Sequence, residues 1–478
     1  MKKNRLFFIT ATILTAFAFT SCFNAVFYNI RQDVAPEAST VTGVINSICR
    51  YTIDGEEYLF LGANEGLRYK LAKTGNVRDS NNSSWKVYSD LPFSLHQFSY
   101  YSGDGKGEHT GQTIIKVLAD KDTLYLITTD YKHEYIDGYS YPNHTYIWAS
   151  KLTAESGKVS GTWKEIKFGE EIDGNYTEYS TDDQRDKIFP YTYSDVNKIR
   201  IYFSHFNFFS TNSINPDLRR VFVRGNNKKG TSGGDCYYEL KGLNAPSQIN
   251  LKQVEGFKDD IIACEDDSTT DVTNIDSVAY LGDTLYFFDS IAVATNEHYE
   301  HDASTYIKPS ILYFAHSESK RKDSEEDYHP STKYLKYISL ENGTPSIGTI
   351  KKENEEKVFS LDCGERISSL AVTKDSILIG RGDYSVATSN AGGIVRAKLS
   401  EDGIPATQLS SFDTNASVQL SYSYQILTLL VTEPDKIETE NTIYSSITFK
   451  GTGSTAGTSF DNIGLWAYYP SRGNWNCE

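Results

Sequence analysis

The chain has 478 residues, with 47 Lys and Arg against 63 Asp and Glu, and a formal net charge of −16. So acidic a chain repels phosphate backbones, which argues against nucleic acid as a partner. Tyr (34) and Phe (24) are abundant; aromatic side chains suit a pleated, half-buried surface and predict an all-β body.

In chain order, Met1-Lys2-Lys3-Asn4-Arg5 is a short basic stretch, and the run from Leu6 to Phe19 is apolar and uncharged. Thr20-Ser21-Cys22 follows. This is the three-part layout of a secretory leader. The apolar part falls short of the about 20 residues that a spanning helix needs. A cysteine directly after small residues at the cleavage point resembles the lipobox of bacterial lipoproteins. Phe19 stands where that family usually has Leu, as in the relaxed lipobox of spirochaetes.

The resemblance implies cleavage before Cys22 and acyl chains of the palmitate kind on that cysteine. Each buried CH₂ adds about 0.8 kcal/mol, so several chains on one residue hold the protein to a membrane. Phe23, in place of Asp, leans the expected location towards the outer membrane of the cell envelope. The expected organisation is a signal peptide over 1–21, a lipidated tether over 22–40 and a folded body over 41–478. Loss of Lys2, Lys3 and Arg5 with the leader makes the body three charges more acidic still.

The body carries a degenerate repeat. Its clearest copy runs from Ile45 to Thr52, turns at Asp54-Gly55, returns over Tyr58–Gly62, and continues over Leu67–Leu71 to a fourth strand at Trp85–Tyr88. A second copy has Ile114–Ala119, a turn at Asp120-Lys121-Asp122, Thr123–Ile127, Tyr146–Leu152 and Trp163–Ile166. A third begins near Tyr191 and runs through Ile199–Phe203. The fourth has Ile275–Tyr280 and Thr284–Phe288; the fifth has Ile367–Val372, Ser376–Gly380 and Gly393–Leu399. A sixth runs from Leu420 and closes with Gly464–Tyr468. Asp and Gly at the turns supply the positive φ or self-capping that tight hairpins need.

A body of this length exceeds the ~250–300 residues of one core. One small antiparallel sheet cannot bury both of its faces, so the copies must stack. Radial stacking leaves only short, protected edges. The predicted fold is therefore a β-propeller of about six four-stranded blades, starting near 45, 114, 191, 275, 367 and 420, with seven as the alternative count. A pair of β-sandwiches or a β-helix is the competing arrangement, and the shorter, stricter period of a β-helix is not seen. Leu61-Gly62-Ala63-Asn64-Glu65-Gly66-Leu67 resembles the blade core of bacterial propellers of the BNR-like and sensor-associated kinds. That resemblance marks an architecture and not a chemistry.

The six cysteines are Cys22, Cys49, Cys236, Cys264, Cys363 and Cys477. With Cys22 acylated an odd number remains, so they cannot all pair. In an oxidising compartment Cys236 with Cys264 would close a local loop, and Cys49 with Cys477 would join the ends of the body. The spacings leave the connectivity open and form no zinc site.

Arg381-Gly382-Asp383 is the tripeptide that integrins read; after a predicted strand it would sit in an exposed turn, where Gly-Asp is also ordinary hairpin chemistry. His298-Tyr299-Glu300-His301-Asp302 offers imidazole and carboxylate to a transition metal, but lacks the His-Glu-x-x-His order. Glu265-Asp266-Asp267 with Asp271 lacks the calcium-loop spacing. Ser102-Gly103-Asp104-Gly105-Lys106-Gly107 lacks the Gly-Lys-Ser/Thr ending of a phosphate loop. All three read as solvated loops.

No Gly-x-Ser-x-Gly elbow and no recognisable Cys-His pair is present, so no cofactor, metal or catalytic residue is assigned. The expected function is that of a non-enzymatic, monomeric module on a lipid anchor, binding a protein or glycan. A periplasm-facing scaffold for outer-membrane assembly is the second reading. A carbohydrate-active enzyme, which would need paired carboxylates in the central funnel, is the third.

Overall fold

In a computed structural model of the chain, Asp54 and Gly55 turn the first hairpin with φ of 52° and 83°. Positive φ at both central residues matches the right-handed twist of the flanking strands. Ser156 and Gly157 repeat the device, at 51° and 76°. The Asp120 turn uses a carboxylate instead: its Oδ1 accepts from the Thr123 amide at 2.8 Å, and its Oδ2 from the Tyr125 hydroxyl at 2.6 Å.

The structure describes residues 41, 45, 47–63, 66–73, 84–100, 107–131, 142–172, 175–178, 208–226, 235–244, 246–249, 275, 277–288, 290–299, 305–316, 333–341, 344–346, 359–382, 392–412, 424–449, 464–471 and 474–478. They are all-β, with no α-helix among them. Among the described residues, seven antiparallel sheets follow one another along the chain, with four further two-stranded ribbons, Gln97–Tyr100 with Gly107–Thr110, Leu152–Glu155 with Lys158–Gly161, Gly169–Ile172 with Asn175–Glu178, and His298–Tyr299 with Tyr306–Ile307. The first holds Ile48–Ile53, Glu56–Ala63, Gly66–Leu71 and Lys86–Val87; the second holds Gln112–Ala119, Leu124–Tyr131, Pro142–Ser150 and Lys164–Glu165. The third holds Phe208–Ser210, Val221–Asn226, Asp235–Leu240 and Ser247–Ile249. The fourth has two strands, Ser277–Leu281 and Thr284–Phe288. The fifth is built on Val293–Thr295, Ile311–His316, Tyr334–Glu341 and Thr344–Ser346, with Leu361–Asp362 as a fifth strand. The sixth holds Ile367–Val372, Ser376–Arg381, Ile394–Leu399 and Pro405–Ser411; the seventh holds Tyr424–Val431, Ile443–Phe449, Gly464–Tyr469 and Asn474–Cys477.

One expected unit divides differently. The fourth copy, expected to start near 275 and run on as one four-stranded sheet, is two sheets. Val293–Thr295 pairs with Ile311–His316 and not with Thr284–Phe288. A three-residue strand is too short to show alternation, so its sequence gives no warning. The expected strand over 199–203 lies outside the described residues.

Neighbouring sheets bury their faces against each other. Tyr51, Phe60 and Tyr69 of the first pack on Val117, Leu124 and Leu126 of the second. Tyr125 and Ile127 of the second meet Phe208, Val221 and Val223 of the third. Phe222, Phe287 and Phe314 link the third, fourth and fifth. Tyr313 and Leu335 of the fifth meet Ile377 and Ile379 of the sixth.

Two joints use the same parts. Ser47 Oγ accepts from the Val117 amide at 2.8 Å, and Ser369 Oγ accepts from the Leu429 amide at 2.9 Å. Each receiving strand is bulged just before that amide, between Ile114 and Lys116 and between Ile426 and Thr428. A bulge leaves a residue out of the ladder, and here the serine of the preceding sheet takes up an amide beside it. Beside each bulge the chain packs on a glycine. A Cβ on Gly62 would lie 2.5 Å from Ile114 Cγ2, and one on Gly380 would lie 2.6 Å from Ile426 Cγ2.

The seventh sheet meets the first through a buried charge. Lys70 Nζ donates to Glu478 Oε2 and to Tyr469 Oη, each at 2.9 Å. Trp85 Nε1 and Tyr469 Oη complete the carboxylate at 2.8 Å each. Trp85, Tyr444 and Tyr469 surround the ammonium with ring centroids at 5.9, 5.8 and 5.5 Å. Leu59 and Leu61 pack beside this clasp on Leu430 and Leu465.

Candidate functional site

One strand from each of the seven sheets lines a partly open cavity of about 230 Å³. Three charged side chains line it among the described residues: Arg50, Lys116 and Glu297. Lys116 Nζ reaches the neighbouring third sheet, donating to the Phe208 carbonyl.

The connection between the first two strands of the third sheet, residues 211–220 and here the cap, lines the cavity at Thr211, Asn212 and Ile214 and reaches the first sheet through Arg219. Asn215 caps a short 3-10 turn, Pro216–Leu218, by accepting from the Asp217 amide. Arg219 then spends its guanidinium on four acceptors. Nε donates to the Ser213 carbonyl at 2.8 Å, Nη1 to the Arg50 carbonyl at 3.0 Å, and Nη2 to Glu57 Oε1 at 2.8 Å and the Ile214 carbonyl at 3.2 Å. Glu297 holds the same connection from the fifth sheet. It accepts from Ser213 Oγ and the Ile214 amide at 2.7 Å each, and from Tyr306 Oη at 2.6 Å.

Arg50, Arg219, Ser213 and Glu297 are all buried. Burial lowers the pKa of the Arg50 guanidinium from its ordinary value, partly opposed by Glu57. Burial and the adjoining Glu297 charge raise that of the Tyr306 phenol. Both oxygens of Glu297 are thus engaged by the cap. It is the one carboxylate lining the cavity among the described residues.

The residues singled out from the sequence fall elsewhere. Arg381 is 7% exposed, and its Nη1 and Nη2 donate to the Cys363 and Gly392 carbonyls at 3.1 and 2.8 Å. A Cβ on Gly382 would press on Gln425 at 2.9 Å. The expected exposed Arg-Gly-Asp turn is therefore corrected for Arg381 and Gly382, which are packed inwards; Asp383 lies outside the described residues. Cys49 and Cys363 are free thiols, and they and Cys477 are buried; with Cys49 free, the suggested Cys49–Cys477 bridge is not made. Cys49 is instead packed in the core between the first two sheets.

Cys236 sits in a strand opposite Gly225, and Cys264 and Cys22 lie outside the described residues. His298 pairs with Ile307 across a two-stranded ribbon, with Nδ1 3.2 Å from the Asn296 carbonyl. His301, Asp302, the acidic group Glu265-Asp266-Asp267 with Asp271, and Ser102–Lys106 lie outside the described residues. No group of metal-ligating side chains occurs among those described. The sequence reading missed Arg50, Arg219 and Glu297. A charge inside the buried apolar strand Ile48–Ile53 was the available signal for the first.

No family model matches the chain, and no curated protein matches it. Among solved structures it is similar to a levansucrase mutant of Bacillus subtilis, at 10% identity over 93% of this chain and 90% of that one, with a TM-score of 0.26. A levansucrase mutant of B. megaterium is similar at 9% identity over 93% and 89%, with a TM-score of 0.28. A eukaryotic initiation factor is similar at 11% identity over 87% and 88%, with a TM-score of 0.26. Superpositions this loose assign no residue of this chain a role.

Proposed function

We propose that the chain is a lipid-anchored envelope lipoprotein whose body is a seven-bladed β-propeller acting as a non-enzymatic binding module for a protein or glycan. The observation that carries this reading is the convergence of one strand from each of seven sheets on one cavity. Packing of the seventh sheet on the first through Lys70 and Glu478 supports closure of the ring. The fourth blade is then the two-stranded sheet Ser277–Leu281 with Thr284–Phe288, wedged between larger neighbours by Phe222, Phe287 and Phe314. Rims of such rings collect the loops of every blade, which suits recognition of an extended partner.

The anchor rests on the leader and on Cys22. In cells, wild-type chain is expected to take up radiolabelled palmitate and to partition into detergent; Cys22→Ala should do neither. An unchanged Cys22→Ala protein would remove the anchor from the reading. For binding, the full chain in detergent is immobilised and exposed to envelope extract and to a glycan array. Saturable capture of one component is expected, and its absence from both screens overturns the binding module. Protease shaving of intact cells, with a periplasmic control, distinguishes a surface protein from a periplasmic scaffold.

A further inference from the structure

The first sheet buries a guanidinium whose one ion pair among the described residues, with Glu57, is long at 3.9 Å. Arg50 interrupts the apolar strand Ile48–Ile53, is 6% exposed and lines the cavity. Its Nε is buried with no hydrogen-bond partner. Glu57 Oε2 stands 3.9 Å from it, beyond hydrogen-bond reach.

The reason lies in Arg219. That side chain takes Glu57 Oε1 at 2.8 Å and also ties down the Arg50 carbonyl. Glu297, the cavity's own carboxylate, is spent on Ser213, Ile214 and Tyr306. Two acids lie close by, and both are committed to holding the cap. A guanidinium is a planar fork that matches a carboxylate, and a buried charge without a close partner is costly to keep. Uncharged polar groups from several sheets share the cavity wall with it: Ser210, Asn212, Ser277, Thr295 and Thr428. The second cation of the lining, Lys116, donates to the Phe208 carbonyl; hydroxyl and amide groups beside the Arg50 guanidinium suit a ligand that carries hydroxyls around one carboxylate.

We propose that this cavity receives the acidic sugar unit of a glycan, a uronic or sialic acid, with its carboxylate on the Arg50 guanidinium. The proposal rests on the binding-module reading and gives it a ligand class.

Full chain in detergent at low ionic strength is titrated by calorimetry with D-glucuronate, N-acetylneuraminate, D-glucose, inorganic phosphate and a short peptide with a free C-terminus. Saturable binding of an acidic sugar is expected, with none for glucose at the same concentration. Arg50→Met should weaken it at least tenfold while its melting temperature holds or rises, because the variant removes a buried charge whose Nε has no hydrogen bond and whose ion pair with Glu57 is long. Silence of both acidic sugars, or their undiminished binding to Arg50→Met, overturns the proposal. So does equal binding of phosphate, or binding of the peptide alone. Should Arg50→Met not fold, competition on the wild type decides: acetate should displace the sugar and acetamide should not, and the reverse result overturns the assignment. Capture of an envelope component by wild type and Arg50→Met alike, with the sugars silent, removes this proposal and leaves the binding module standing. Capture of nothing on any screen, with the sugars silent, removes both.

Discussion

Ile114 Cγ2 occupies the space into which a Cβ on Gly62 would project, 2.5 Å away, and Ile426 stands in the same relation to Gly380. These pairs join the first sheet to the second and the sixth to the seventh. In both, the isoleucine adjoins a bulge, and a serine of the preceding sheet caps the amide three residues on.

Gly62→Ala is therefore expected to destabilise the fold by about 1–3 kcal/mol, the usual cost of overpacking a filled core. Gly380→Ala should cost about the same. Chemical denaturation measures both. In a double-mutant cycle, Gly62→Ala with Ile114→Ala should show a coupling of about 0.5 kcal/mol or more. Simple additivity would mean that the close approach is not what fixes the glycine.

The Lys70–Glu478 pair is fully enclosed. Removing one partner leaves a buried charge, so Lys70→Met should cost about 3–5 kcal/mol. The double variant Lys70→Met/Glu478→Gln removes both charges and should recover part of that loss. If the double variant is as unstable as the two single losses added together, the clasp acts through shape and not charge.

Burial pushes the Cys49 and Cys363 thiols from the ordinary 9.0 up to about 12. Both should stay unreactive towards Ellman's reagent at pH 8 until the chain is unfolded, since the thiolate is the nucleophile. Between pH 9 and 12 the unfolded chain gives up these protons and the folded chain keeps them. Stability from this source is thus whole below pH 9 and falls as pH rises towards 12. Urea titrations across that range, compared with Cys49→Ala/Cys363→Ala, should show a shallower fall in the variant.

Arg219 holds the cap by four hydrogen bonds from one guanidinium. Arg219→Ala should cost about 1.5–3 kcal/mol, as for hydrogen bonds to charged groups. Hydrogen exchange should accelerate over residues 211–220 before it does in the core strands. Uniform acceleration across the chain would show that Arg219 supports the whole body instead of the cap.

Much of the sheet structure is legible along the chain because its cause is local. Asp54-Gly55 carries its own turn chemistry, and the short apolar runs within Ile367–Val372 and Ser376–Arg381, parted by Lys374-Asp375, place those strands to within a residue or two. Val293–Thr295 escapes because its identity depends on which strand it pairs with, and three residues carry no period. Arg381 misleads for a related reason. Its tripeptide reads as a surface turn, but the Cys363 and Gly392 carbonyls lie where only the packed sheets bring them, and they draw the side chain in.

The sequence by itself determined the all-β class, the repeated hairpins and the leader's resemblance to a lipoprotein signal, since each rests on residues within a few positions of one another. Tertiary structure alone decided that Arg50 lines a cavity, that Arg219 and Glu297 hold the connection at Ser213 and Ile214 beside it, and that Lys70 meets Glu478. Those partners stand 162 to 408 positions apart in the Glu57–Arg219 and Lys70–Glu478 pairs. A charge's partner is set by distance in space, which no local pattern of residues encodes.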